Sequence, residues 1–270
     1  MLNGLTQLNI ELTSRCDKQT LCGFCGHQDP AVHPTLRFGE IDPAFIMKIA
    51  VEVFPLRTSC VVQFHRDGDP LAASVKTLNM ALGAFASNLI SIVTHGERLG
   101  ARAHELIGNC QSVCVSIFRG DPDRELQLQS LTEFLKQKGD RLPKVLLKVV
   151  GDMHDDELAP YVALDLPIMR RLIHLPTGNN KYAHRSPTMP EHGLCEDLLH
   201  HPSIAWDGRV YLCNRLDTKD LGLIGNLNEE SLDAIWNGKL RADYLQKHLD
   251  GRRKDVPPCA DCLYYGIPTG

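Results

Sequence analysis

From the start of the chain to about residue 175, short apolar runs rich in β-branched residues alternate with longer amphipathic stretches, at a spacing of roughly 30 residues. The apolar runs lie around Leu8–Thr13, Cys60–Phe64, Leu89–Thr94, Val113–Ile117, Val145–Val150 and Met169–Leu175. Strands alternating with helices in this way predict parallel βαβ units. The first helix is the best marked. Asp42 is placed to cap it, Pro43 fits its first turn, and Phe45, Ile46, Ile49, Ala50 and Val53 fall on one face. Similar helical spacing recurs near Val75–Ala86, Leu99–Ile107, Leu126–Lys138 and Glu157–Leu164.

The pattern changes after Leu175. Pro176, Thr177, Gly178, Asn179 and Asn180 read as a linker or irregular loop, which divides the chain into residues 1–180 and a smaller unit, 181–270. Within the second unit, Asp207-Gly208 separates the alternating runs Ile204-Ala205-Trp206 and Arg209-Val210-Tyr211-Leu212-Cys213. That arrangement predicts a hairpin from Ser203 to Asn214, with both turn residues at φ > 0. A helix is expected from Asn228, with Leu232, Ile235 and Trp236 facing inward.

Composition narrows the class. The 270 residues are 43% hydrophobic, enough to fill a core, and the 29 Lys plus Arg are outnumbered by 33 Asp plus Glu. No excess of positive charge advertises nucleic-acid binding. Met1–Thr13 lacks the features of a signal peptide, and no apolar run approaches a membrane span, so the expectation is a cytoplasmic protein without a membrane partner.

Ten cysteines in such a compartment point to metal, because thiols there stay reduced and seven of the ten are grouped. Cys60, Cys110 and Cys114 lie in or beside apolar runs and are expected in the core. Cys16, Cys22 and Cys25 follow the first strand run, on a loop at the strand end where barrel folds place their chemistry. Three thiolates leave one iron of a four-iron cluster open. Zinc with His27 or a water as fourth ligand is the competing reading. Cys195, Cys213, Cys259 and Cys262 supply four thiolates, which close a [4Fe–4S] cluster or a tetrahedral zinc equally well.

The first group, with Phe24 just before its last cysteine, resembles the cluster loop of the radical S-adenosylmethionine (SAM) superfamily. The usual spacing there has three residues between the first two cysteines; here there are five. Further landmarks follow in order. Asp67-Gly68-Asp69-Pro70 resembles the Gly-Gly-Glu-Pro segment that contacts the methionine amino group of the cofactor, with Asp67 and Asp69 replacing its first glycine and its glutamate. Thr94-His95-Gly96 is similar to the family's Thr-Asn-Gly, and Ser116 lies where relatives place a ribose-contacting polar residue. The second cysteine group, with its hairpin, Gly225-Asn226-Leu227 and the closing Cys259-Ala-Asp-Cys262, resembles the Twitch domain, the shortened form of SPASM. Its cysteine intervals look like those of the radical SAM cyclitol dehydrogenase of aminoglycoside biosynthesis.

The resemblance implies a partial (β/α)6 TIM-like barrel followed by a small α+β cluster-binding domain. It implies S-adenosylmethionine and two [4Fe–4S] clusters as cofactors, on Cys16, Cys22 and Cys25 and on Cys195, Cys213, Cys259 and Cys262. Phe24, Gly68, Asp69, Pro70, Thr94 and Ser116 are the expected cofactor-binding residues. A flavodoxin or ferredoxin would deliver electrons. The expected activity is that of a radical SAM oxidoreductase: reductive cleavage to a 5′-deoxyadenosyl radical, hydrogen abstraction from a small polar substrate, and a net oxidation with the second cluster as electron acceptor. Radical modification of a ribosomally made peptide is the alternative, disfavoured because no peptide-recognition domain precedes the first strand. A non-catalytic zinc module is the third. The catalytic base stays open among Lys148, Arg170, Arg171 and His174, with His65 and Arg66 equally ambiguous; the His200-His201 pair reads as surface loop.

Overall fold

The structure is a computed structural model that describes residues 2–16, 18, 37–171, 194–214, 217, 219–260 and 262. Six parallel strands, β1 (Gln7–Ile10), β2 (Val61–Phe64), β3 (Leu89–Thr94), β4 (Ser112–Ile117), β5 (Lys144–Val150) and β6 (Ile168–Arg171), lie side by side in chain order. Helices α1 (Pro43–Val53), α2 (Val75–Ala84), α3 (Ala103–Leu106), α4 (Arg124–Lys138) and α5 (Asp155–Val162) occupy the connections between them. The sheet is open, as expected for a partial barrel. Among the described residues no helix is long and apolar enough to cross a membrane.

Strand register explains why the sheet has two different faces. Ile10, Phe64, Ile92, Val113 and Val145 pair across five strands and are all buried, as are Leu8, Val62, Ile90, Val115, Leu147, Ile117 and Val149 in adjoining rows. Side chains alternate along a strand, so the next row in each belongs to the opposite face. That face carries Gln7, Asn9, Gln63, Ser91, Ser112, Ser116 and Lys148, an unusual load for strands in a protein core. Five of these satisfy one another. Gln7 donates to Asn9 and to Gln63 at 2.9 and 2.7 Å, and Ser112 donates to Ser91 at 3.0 Å. The apolar face packs under the helices; the polar face is the one available to a ligand.

The C-terminal segment does not stand apart from this sheet. β7 (Ser203–Ile204) pairs in parallel with β1, and β8 (Arg209–Tyr211) and β9 (Leu223–Asn226) extend it, giving the order β6-β5-β4-β3-β2-β1-β7-β8-β9. The first strand is therefore internal. Helices α6 (Glu196–His200), α7 (Leu232–Trp236) and α8 (Lys239–Leu249) complete the segment; α8 was not expected from the sequence. Two carboxylate oxygens of Glu52, on α1, accept the amides of Leu232 and Asp233 at 3.1 and 2.8 Å, capping α7 from the barrel. Trp236, fully buried, donates to the Asn3 carbonyl at 3.0 Å.

Several expectations shift in detail. The hairpin forms, but only Gly208 has positive φ, at 89°. Ala205 accepts the amide of Gly208 and donates to Arg209, so Trp206 and Asp207 make an ordinary turn closed by glycine. The expected helix from Asn228 starts later, at Leu232 under a Ser231 cap, because Asn226 first draws the amides of Asn228, Glu229 and Glu230 into a turn. The helix expected over Leu99–Ile107 shrinks to Ala103–Leu106. The Gly100 amide donates to the Ser130 hydroxyl at 3.0 Å and Arg102 reaches the carbonyls of Leu71 and Ala73, so tertiary bonds replace a helical turn. Cys60, Cys110 and Cys114 are buried as expected, and burial pushes the first two thiols up to about 12, leaving them inert. The linker residues 176–180 and the end of the sixth apolar run lie outside the described residues.

Glu52→Ala should uncap α7 and cost about 1–2 kcal/mol, the usual range for a lost helix cap. Urea denaturation followed by circular dichroism measures it.

Candidate cofactor and cluster sites

The strand ends that carry the sequence landmarks converge. Beyond β1, the backbone of Thr13, Ser14 and Arg15 leads to Cys16. It is held from one side by Ser14, which donates to the Arg37 carbonyl at 3.0 Å and accepts the Gly39 amide at 2.8 Å. From the other side Asp69 donates its amide to the Arg15 carbonyl at 2.9 Å. A Cβ on Gly68 would fall 2.1 Å from the Thr13 carbonyl oxygen, so only glycine lets these two loops touch. Cys22, Phe24, Cys25 and His27 lie outside the described residues, as does His174.

Asp69 is buried and its carboxylate is fully engaged by the chain. It accepts the Leu71 amide at 2.8 Å, the Thr94 hydroxyl at 2.8 and 3.0 Å and the His95 amide at 2.9 Å, with His95 Nε2 at 3.2 Å. Thr94 in turn accepts the Gly96 amide at 3.0 Å. These two residues bind the β2 and β3 ends to each other, and Pro70 is buried in the turn between them. Gln127 on α4, not singled out by the sequence, extends the junction. Its side-chain amide donates to the carbonyls of His95 and of Ser116, and its oxygen accepts from buried Tyr161. A glutamine on a helix gives no sequence signal for such a role. Ser116 is half-buried and its register partner is Lys148, which places both on the polar face. Arg170 pairs with Val149, on the helix-side row, and is exposed. Arg171 pairs with Val150 in the strand register.

Lys18, between Cys16 and Cys22 in sequence, is tied to the ends of β3 and β4. Its ammonium, wholly buried, lies 2.6 Å from Glu97, 2.6 Å from Asp121 and 3.5 Å from Asp123, and 5.4 Å from the Phe118 ring. Burial opposes the charge, but hydrogen bonds to Asp121 and Glu97 prevail and hold the lysine above its ordinary value. The three carboxylates come within 4.8 Å of one another, close enough to ligate a cation, and Lys18 supplies positive charge there.

Glu11 joins the barrel to the C-terminal segment. One carboxylate oxygen accepts the amides of Asp67 and Gly68 at 3.3 and 3.2 Å, and the other accepts the amide of Trp206 at 3.2 Å. Arg66 makes a second link: paired with Asp67, it stacks on Tyr211 at 4.0 Å. His200 and His201 end α6 half-buried, bonded to the Gly4 carbonyl and to Asp197.

The four C-terminal cysteines are delivered by four local devices. Cys195 is the N-cap of α6. Cys213 follows β8, its carbonyl accepting from buried Ser203 at 2.8 Å. Cys259 ends a short 3-10 turn, Pro257–Cys259, and its carbonyl accepts the Cys262 amide at 3.2 Å. Burial, then the charges of Cys262 and Cys195, push the Cys259 thiol far up, which places the three sulfurs in one electrostatic neighbourhood. Thiolates so gathered repel one another until a cation draws them down, so the donor set fits a thiolate-ligated metal centre.

Lys18→Met should leave the buried carboxylates facing one another and cost roughly 3–5 kcal/mol, the range for breaking a buried pair from one side. Thermal unfolding reports it.

Residues 195–263 match the SPASM iron–sulfur cluster-binding domain. Of the solved structures, BtrN in complex with AdoMet and 2-DOIA is similar over 96% of this chain and 92% of its own, with 17% identity and a TM-score of 0.62. SuiB of Streptococcus suis bound to S-adenosylmethionine is similar over 89% of this chain and 68% of its own (13% identity, TM-score 0.52). SuiB bound to its precursor peptide SuiA gives 89% and 66% (14% identity, TM-score 0.51). No curated protein sequence matches the chain. The chain thus has the fold shared by BtrN and SuiB, the partial barrel implied by the resemblance to radical SAM enzymes, and its residues 195–263 match the SPASM iron–sulfur cluster-binding domain.

Proposed function

We propose that the chain is a radical SAM oxidoreductase acting on a small polar molecule, with residues 1–180 as the barrel and 181–270 as the auxiliary-cluster domain. When bound, the cofactors supply reductive cleavage of S-adenosylmethionine to a 5′-deoxyadenosyl radical and an acceptor for one further electron. In this reading Cys16, Cys22 and Cys25 hold the first [4Fe–4S] cluster, and Phe24, Gly68, Asp69, Pro70, Thr94 and Ser116 form the cofactor site. Gly68 permits the close loop approach, and Asp69 with Thr94 fixes the surface against which the cofactor lies.

The observation that carries the oxidative assignment is the four-cysteine C-terminal set. Four protein ligands leave no iron of the second cluster open to substrate, and an electron-accepting role remains for it. Held by Cys195, Cys213, Cys259 and Cys262, that cluster would supply the acceptor for the second electron of an alcohol oxidation, and a base would take the hydroxyl proton. Lys148 is the residue we assign to substrate contact, since it shares the polar face with Ser116. Ser91 and Ser112 on the same face favour a polar substrate. The likeness to BtrN, a structure that contains 2-DOIA and is spanned over 92% of its length, points the same way. Modification of a peptide is the second reading, favoured by the likeness to SuiB bound to SuiA. A flavodoxin or ferredoxin would supply the first electron, in the cytoplasm.

Anaerobic reconstitution should yield about eight irons per chain together with 5′-deoxyadenosine on reduction; zinc without iron and no cleavage would overturn the assignment. Cys16→Ala should abolish cleavage, while Cys213→Ala should lower the iron content and leave cleavage measurable.

A further inference from the structure

Arg253 lies in a short 3-10 turn, Arg253–Asp255, with its side chain wholly inside the protein. Its Nη1 donates to the carbonyl oxygen of Cys259 at 2.7 Å. A guanidinium is never neutral in a protein, so a full positive charge is fixed in a dry site against the backbone of one of the four cysteines. Its field reaches beyond that contact. It acts on His248, a buried neighbour that burial and Arg253 together hold down at about 4.

A hydrogen bond to a backbone carbonyl could be made by any donor; a permanent buried cation has a further consequence. Reducing a cluster adds one negative charge to it. In a low-dielectric surrounding a fixed cation stabilises the reduced state more than the oxidised one, and a fixed anion does the reverse. We infer that Arg253 tunes the C-terminal cluster as an electron acceptor, raising its reduction potential. The inference rests on the reading that Cys195, Cys213, Cys259 and Cys262 hold a [4Fe–4S] cluster. The equilibrium concerned is the uptake of one electron by the oxidised cluster, with no bond made or broken.

The test is the midpoint potential of the second cluster, followed by electron paramagnetic resonance during titration with dithionite. The full-length chain is used with Cys16, Cys22 and Cys25 replaced by alanine, so that a single cluster is observed. Arg253→Met should make reduction at least tenfold less favourable, a fall of about 59 mV for one electron. Arg253→Lys, which keeps the charge, should remain within about threefold of the parent. An unchanged potential in Arg253→Met overturns the inference. If that variant holds no cluster, Arg253→Gln decides: a lowered potential supports the inference and an unchanged one overturns it. A parent chain that takes up no iron at these four cysteines instead overturns the cluster reading itself.

Discussion

One carboxylate joins the two cysteine-bearing parts of this chain. Glu11 stands just past β1, in the middle of the sheet, and accepts amides from the loop after β2 with one oxygen and from the C-terminal hairpin with the other. A buried carboxylate is tolerated only when such donors replace its lost hydration. The cost of burying the charge therefore becomes a demand that Asp67, Gly68 and Trp206 stay where they are. Gly68 then meets the backbone leading to Cys16, and the strand that follows Trp206 leads to Cys213. The placement of Cys16 and of Cys213 is thereby tied to one anion.

The same economy of polar groups runs along the strand ends. Asp69 joins the β2 and β3 ends, Gln127 joins β3 and β4 to the helix side, and Lys18 is tied to carboxylates that follow β3 and β4. Each is buried, so each has partners it cannot exchange for water. Beneath them the helix-side face of the sheet is a continuous apolar layer, and part of the other face is a set of polar side chains bonded to one another. Chemistry placed on such a surface rests on a stiff support, since the apolar layer resists displacement and the polar rows have fixed partners.

Much of this was legible in the chain itself. The alternation of apolar runs with amphipathic stretches located six strands and the best-capped helix, because period and capping are local properties of consecutive residues. The cysteine spacings identified two groups, and a SPASM match covers the second. Asp69 and Thr94 stood out as landmarks, but their bonds to each other did not, since the residues are 25 positions apart. The helix expected from Leu99 failed for the same kind of reason: Ser130 and the carbonyls of Leu71 and Ala73 compete for that segment from elsewhere in the chain.

What the sequence determined alone is therefore what depends on neighbours along the chain: strand and helix periods, caps, turn glycines and the grouping of thiols. What only the tertiary structure decided is which distant groups neutralise which. No spacing indicates that β7 lies against β1, that Lys18 meets Glu97, Asp121 and Asp123, that Gln127 spans two strand ends, or that Arg253 is buried against Cys259. Charge pairing and desolvation act through space, and the residues that carry them leave no period behind.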